Sequence, residues 1–128
     1  MLMIELEQLS NCPELINWAL ARYVVHPHRW RRPILHDDGS LTFLGKPVTL
    51  PSYTSFLGEY EWWLIQEIKK GKPTRAKVQH KRATSKVFSH SCATVASAVY
   101  MCIIEHKRRN GLIALPERYA ERWLGWTI

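Results

Sequence analysis

The chain lacks a long hydrophobic run. Its longest apolar stretch, residues 95–104, is interrupted by Ser97, and it is far shorter than the roughly 20 residues of a membrane-spanning helix. The N-terminus has no positively charged segment and carries Glu5 and Glu7, so it does not resemble a secretory signal. From these absences we expect a cytoplasmic protein without a membrane partner.

Cysteine is also scarce, and its positions form no known motif. Cys12, Cys92 and Cys102 are odd in number and show no Cys-x-x-Cys spacing. This pattern favours free thiols in a reducing compartment over a disulfide framework. A single domain of this length can bury roughly two thirds of the surface of its unfolded chain, so it does not need crosslinks to fold.

Motifs for nucleotide cofactors and for nucleophilic hydrolysis are missing as well. The sequence contains no Gly-x-x-x-x-Gly-Lys loop, no Gly-x-Gly-x-x-Gly loop and no Gly-x-Ser-x-Gly elbow. We therefore expect no cofactor, no catalytic residue and a non-enzymatic role.

Acidic residues are few in the second half of the chain. Residues 1–68 hold five Lys/Arg and eight Asp/Glu, a net charge of −3, whereas residues 69–128 hold thirteen and three, a net charge of +10. Such an asymmetry favours a polyanionic partner or an acidic protein surface.

The basic charge is densest in residues 69–86. Eight of these eighteen residues are Lys or Arg and none is acidic, and Gly71 and Pro73 interrupt the segment. The composition predicts a flexible basic loop that contacts phosphates. The predicted contacts, which include two further basic clusters, are Arg31, Arg32, Lys69, Lys70, Lys72, Arg75, Lys77, Lys81, Arg82, Lys86, Lys107, Arg108 and Arg109.

Two tryptophans are candidate aromatic contacts. The predicted second helix carries more aromatic residues than one buried stripe can hold, so Trp62 is expected to be exposed. Trp30 stands between Arg29 and Arg31 and is expected to be exposed too. Exposed Trp can stack on bases or form the centre of a protein interface.

The secondary-structure signals predict an α+β, mainly helical domain over residues 1–128. Ser10 or Asn11 and Pro13 begin a first helix that ends before Pro27, and Asp-Gly at 38–39 predicts a hairpin, with a third strand at 48–50 after a turn at 45–47. Further helices are predicted from about 54 to 70, from about 84 to 110 and from 116 to about 124. We expect about four helices packed with a two- or three-stranded antiparallel hairpin.

Two histidines and two cysteines in the second half of the chain could form a zinc site, but their predicted geometry argues against it. His90, Cys92, Cys102 and His106 have the right side chains. If the third helix already includes residue 90, His90 and Cys92 project about 200° apart, and the apolar seam of that helix explains the cysteines as core residues. The sequence therefore predicts no metal site, unless the helix begins only near Thr94.

Imidazoles and carboxylates around the hairpin suggest a second kind of chemistry. His26, His28, His36, Asp37 and Asp38 could bind Mg²⁺ or perform general acid–base catalysis. Asp-Asp-Gly-Ser is also an ordinary turn sequence, which accounts for both aspartates without catalysis.

Three functions follow from these features. The leading hypothesis is a regulatory or accessory protein that binds DNA, RNA or a nucleoprotein complex through its basic surface. The second is a small inhibitor or adaptor that docks on an acidic protein, with Trp supplying affinity and charge setting the association rate. The third is a metal-dependent nuclease that uses the hairpin residues.

Overall fold

The described residues form four α-helices and eight short β-strands. The computed structural model describes residues 1–59, 62–67, 74–80, 87–108 and 111–128. The strands are β1 (Leu2–Glu5), β2 (Ile34–Leu35), β3 (Leu41–Phe43), β4 (Lys46–Pro47), β5 (Trp62–Glu67), β6 (Thr74–His80), β7 (Val87–Cys92) and β8 (Leu112–Leu115). The helices are α1 (Pro13–Leu20), α2 (Tyr53–Glu59), α3 (Val95–Lys107) and α4 (Glu117–Leu124).

The strands are arranged in three small antiparallel sheets: β1–β8, β2–β3–β4 and β5–β6–β7. The expectation of a mainly helical fold with one hairpin is therefore wrong, and the domain is a mixed α+β fold. The chain ends supply the least predictable sheet, because β1 and β8 pair across nearly the full length of the sequence.

The β5–β6–β7 sheet packs one face against α3. Along β6, Ala76 and Val78 are buried while Arg75 is exposed, and along β7 the burial alternates in the same way. This period of two is the signature of a strand with one covered face. Residues 97–104 of α3 are all buried, so the helix forms the centre of the core.

The predicted third helix begins about ten residues too early. Residues 87–92 form β7, and α3 starts after Thr94, whose side chain accepts a hydrogen bond from the Ser97 amide at 3.2 Å. Phe88 and Cys92 fitted a helical seam because residues four apart share a face in a strand as well as in a helix. The spacing alone did not distinguish the two structures.

The predicted second helix begins where expected, but its continuation through residues 62–67 is wrong. α2 ends at Glu59, and the aromatic and aliphatic run Trp62–Ile65 belongs to β5, which pairs antiparallel with β6. These residue types favour strands, and a neighbouring strand completes their hydrogen bonding.

The expected flexible basic loop at 69–86 contains a strand. Residues 74–80 form β6, the central strand of the sheet, with β5 and β7 on either side. The remainder of the predicted loop, residues 69–73 and 81–86, lies outside the described residues.

The first helix and the hairpin follow the local signals more closely. Pro13 occupies the first turn of α1, but Cys12 rather than Ser10 or Asn11 is the N-cap residue, and the helix continues as a π-helical turn over Ala21–Val25. In the hairpin, Leu44 and Gly45 have φ values of 53° and 78°, as a type I′ turn requires. The third strand is therefore at Lys46–Pro47 rather than at 48–50.

α4 lies where it was predicted, from Glu117 to Leu124, and ends at Gly125 in the left-handed conformation. Over the ranges given above, the structure contains no helix that is both long and apolar enough to span a bilayer.

Candidate nucleic-acid interface

α3 covers one face of the β5–β6–β7 sheet. The other face points away from α3, and we call it the open face. β6 contributes Arg75, Lys77 and Gln79 to it, and β7 contributes Val87, Ser89 and Ser91. Arg75, Val87 and Ser89 are exposed, and the other three are half-buried. The strand alternation that buries Ala76 and Val78 under α3 therefore directs two cationic side chains away from the core.

The strand register sets the order of residues across the open face. Lys77 stands opposite Ser89, and Arg75 stands opposite Ser91. On the other side of β6, the backbone register places Trp63 opposite Gln79 and Ile65 opposite Lys77. Cations in the central strand are thus flanked by hydroxyl side chains on one neighbouring strand.

The other predicted basic contacts are spread over the molecule. Arg31 and Arg32 are exposed before β2, Lys107 is exposed at the end of α3, and Arg108 is half-buried. The remaining predicted contacts, which lie outside the described residues, are Lys69, Lys70, Lys72, Lys81, Arg82, Lys86 and Arg109.

A second cationic feature, the arginine cluster, surrounds Tyr23. The Cζ atoms of Arg22 and Arg108 lie 5.1 Å and 4.8 Å from the centroid of the Tyr23 ring, within the range of cation–π attraction. Burial lowers the pKa of Arg22, Tyr23 opposes that shift, and the charges of Arg32 and Arg108 add to it. Arg22 was not among the predicted contacts, because only the fold brings it close to Arg108.

Tyr23 itself is held by the β1–β8 sheet. Its hydroxyl accepts a hydrogen bond from the Ala114 amide at 3.0 Å. Arg108 Nε donates to the carbonyl of Leu112 at 3.2 Å. The arginine cluster is therefore anchored to β8 by its aromatic centre and by one of its cations.

The structure tests the predicted exposure of Trp30 but not that of Trp62. Trp30 is 85% exposed, and the Arg29 guanidinium lies 5.1 Å from its ring centroid. The expectation that Trp30 is exposed is confirmed. Trp62 belongs to β5, and its side chain lies outside the described part of the chain.

α3 begins only after Thr94, so His90 and Cys92 are not on a helix and the geometric argument against a zinc site does not apply to them. His90 and Cys92 lie on β7, two residues apart and both buried against α3, so they share a face. Cys102 Sγ donates to the Ala76 carbonyl at 3.7 Å, and the ring of His106 packs edge-on against Phe88. These contacts place Cys102 in the core and half-buried His106 at its edge.

Burial also makes the thiols poor metal ligands and poor nucleophiles. It raises the pKa of Cys92 to about 11, and burial together with the charge of Glu105 raises the pKa of Cys102 to about 12. The thiolate is the reactive form. Neither cysteine is therefore activated for chemistry at neutral pH.

Cys102 should make the folded protein lose stability in alkali. Its folded-state pKa is above the ordinary value of 9.0, so the unfolded chain releases this proton first as the pH rises. The contribution of the Cys102 thiol to the free energy of unfolding is fully present below about pH 9 and declines toward pH 12. Urea unfolding at several pH values should show a shallower alkaline decline for Cys102→Ala than for the wild type. An equal loss of stability in alkali for the wild type and Cys102→Ala would contradict the raised pKa of Cys102.

The proposed nuclease residues do not assemble into one site. His26 and His28 stack on Phe43, with ring centroids 4.2 Å and 5.4 Å from it. His36 Nε2 is 2.7 Å from the Thr42 hydroxyl, and Asp38 accepts hydrogen bonds from the amide and hydroxyl of Ser40. The last two bonds are those of an Asx turn. These contacts explain the residues by packing and turn structure.

Among the described residues, a different group brings three potential metal ligands together. Glu7, His90 and Glu105 each offer a ligand atom, and these atoms all lie within 4.8 Å of one another. Of these three residues, only His90 was a candidate ligand from the sequence. Glu7 and Glu105 carry no sequence signal, because they are far from His90 in the chain and belong to no spaced motif.

Comparison with known protein families, with curated proteins and with solved structures finds no match for this chain.

Proposed function

We propose that the protein binds single-stranded nucleic acid on the open face of the β5–β6–β7 sheet. The observation that carries this proposal is the placement of Arg75 and Lys77 in the central strand, on the face opposite α3. A cationic sheet surface suits an unpaired strand, because the cations contact the phosphates while the bases of a single strand remain free to pack on the sheet.

A groove-reading helix is a weaker alternative for this fold. Among the described helices α3 is the longest and so the best candidate by length, but eight of its thirteen residues are buried. A recognition helix must present its side chains to the base edges. The packing of α3 therefore favours the sheet face over a helix-in-groove contact.

The overall charge also favours a polyanionic partner. The half of the chain that contains β6, β7 and α3 carries the net charge of +10 described above. The arginine cluster and Arg31 add cations elsewhere, so a long polyanion would find more than one contact. Association should depend on salt, since each phosphate contact releases condensed counterions.

Fluorescence anisotropy with labelled single- and double-stranded DNA and RNA, over a salt series, tests the proposal. We expect tighter binding to single strands. For the Arg75→Gln, Lys77→Gln double variant, the loss of two phosphate contacts should make the slope of log K against log salt shallower by about 1.4, at about 0.7 per contact.

A matched control separates the open face from general charge. Lys46 is exposed on β4, which belongs to a different sheet, so Lys46→Gln removes one positive charge and should leave the slope unchanged. Arg75→Gln removes the same charge and should make it shallower. Equal effects of the two variants, or no binding at about 50 mM salt where phosphate contacts are strong, would overturn the proposal.

Trp30 supports a second candidate, a small adaptor or inhibitor of an acidic protein. An exposed Trp beside an Arg has the composition of an interface hot spot. In this candidate, the basic surface steers association and Trp30 supplies the affinity. Absence of nucleic-acid binding in the anisotropy series would favour it.

A further inference from the structure

Glu7, His90 and Glu105 come from three different elements and meet at one point. Glu7 belongs to a 3₁₀ turn over Leu6–Leu9, His90 lies on β7 and Glu105 lies on α3. His90 Nε2 is 2.9 Å from Glu105 Oε2, and one ligand atom of each residue lies within 4.8 Å of the others. The two carboxylates and the imidazole are on the α3 side of the sheet, opposite the open face.

The surrounding fold holds each of these residues in place. Leu6 and Leu9, on either side of Glu7, are both 0% exposed. The Leu6 amide donates to the Gly111 carbonyl at 2.9 Å, which ties the 3₁₀ turn to the segment after α3. His90 is only 7% exposed. The core therefore fixes His90 and the backbone of the 3₁₀ turn before any ion binds, which supplies part of the preorganisation that a metal site requires.

The combination of side chains is that of a transition-metal site. One imidazole nitrogen and two carboxylate oxygens form a three-ligand set of the kind that binds zinc with a water in the fourth position. Mg²⁺ and Ca²⁺ prefer oxygen ligands alone, whereas imidazole favours zinc and its neighbours. Two carboxylates this close also repel each other, and a divalent cation removes that repulsion.

We propose that Glu7, His90 and Glu105 bind a Zn²⁺ ion. Ligand atoms about 2.0–2.1 Å from a tetrahedral zinc are roughly 3.3 Å apart. His90 Nε2 and Glu105 Oε2, now 2.9 Å apart in a hydrogen bond, would separate by about 0.4 Å and release the proton between them when the ion binds. Glu7 is exposed, and a change of its rotamer brings its carboxylate to the ion while leaving one position to water. The ion then connects the 3₁₀ turn to β7 and α3.

A simpler account is that His90 and Glu105 form only an ion pair between the sheet and the helix. The two accounts differ in Glu7, which the ion pair does not need. Glu7→Gln is therefore the informative variant, and because Glu7 is exposed the substitution leaves the core packing intact. Glu121→Gln removes the same charge from an exposed position on α4 and serves as the matched control.

Isothermal titration calorimetry with Zn²⁺ alone, on the full chain under reducing conditions, tests the proposal. We expect one ion per chain, with an affinity at least tenfold lower in Glu7→Gln and in His90→Gln, and unchanged in Glu121→Gln. Zn²⁺ should also raise the melting temperature of the wild type and of Glu121→Gln but not of Glu7→Gln. Circular dichroism of each variant without metal separates lost binding from lost folding.

Co²⁺ supplies an independent readout, since its visible spectrum reports the ligands around it. The wild type with Co²⁺ should show a band that Glu7→Gln alters and that contains no sulfur-to-metal charge transfer. Absence of Zn²⁺ binding, binding that Glu7→Gln leaves unchanged, or a thiolate band would each overturn the proposal. The nucleic-acid proposal is unaffected by these outcomes, because its residues lie on the opposite face.

Discussion

Trp18→Ala should lower the free energy of unfolding by about 3–5 kcal/mol, the usual cost of removing a large buried aromatic side chain. Trp18 is 2% exposed, and its ring packs edge-on against Tyr119 with centroids 5.4 Å apart. Its indole N–H donates to the Pro33 carbonyl at 3.3 Å. One side chain thus connects α1 to α4 and to the segment before the hairpin, and its loss would leave both a cavity and an unpaired carbonyl.

Chemical denaturation with urea measures this loss, and Trp30→Ala is its control. Trp30 is the same residue type at 85% exposure, so its removal should change stability by no more than about 0.5 kcal/mol. Since a small domain has about 5–15 kcal/mol of total stability, Trp18→Ala should be close to unfolding at 37 °C. Similar midpoints for the two variants would contradict the described core.

Ala76→Asp should destabilise the protein by about 3–5 kcal/mol, the size of the penalty for an uncompensated buried charge. Ala76 is 0% exposed under α3, and its carbonyl accepts from Cys102 Sγ. A carboxylate at this position would replace a close contact between strand and helix with an unpaired charge. The variant should lose its cooperative unfolding transition or show it at much lower urea.

Ser89→Asp is the matched control for that substitution. Ser89 is exposed on the open face, opposite Lys77 in the register, so the same carboxylate should be nearly neutral for stability. Comparing Ala76→Asp with Ser89→Asp also distinguishes a flexible loop from a buried strand at residues 74–80. A flexible basic loop would tolerate Asp at position 76, whereas the central strand of a sheet would not.

Local signals predicted the first part and the last part of the chain. Pro13 begins α1, Asp38-Gly39 lies in the turn between β2 and β3, and Gly125 ends α4 in the left-handed conformation. Each of these depends on the backbone preference of a few neighbouring residues, which the sequence contains directly. Even here the N-cap of α1 was misplaced, because Cys12 occupies it without a capping side chain.

The middle of the chain was predicted less well, and the reason is periodicity. Apolar residues four apart, such as Phe88 and Cys92, lie on one face in a helix and also in a strand. Only the pairing of β6 with β5 and β7, and the packing of α3 on their shared face, distinguishes the two. That choice depends on hydrogen bonds and burial between residues that are distant in the sequence.

The candidate sites were likewise predictable from the sequence only in part. The basic character of residues 69–128 was evident from composition, but the strand alternation assigns Arg75 to the open face and Ala76 to the core. The cluster of Glu7, His90 and Glu105 had no predictive signal beyond His90. The late helix start on which a zinc site of His90, Cys92, Cys102 and His106 depended is present, since α3 begins only after Thr94, but the structure groups His90 with the two glutamates instead.

The sequence by itself determined the charge asymmetry, the local turns and the helix boundaries set by proline and glycine, because these depend on residue type and near neighbours. The tertiary structure decided whether residues 62–67 and 87–92 are helix or strand, which side chains face away from α3, and which distant residues converge on His90. The physical reason is that burial and strand pairing reward contacts between remote segments, and their free energy outweighs local preferences that are worth about 1 kcal/mol or less per residue.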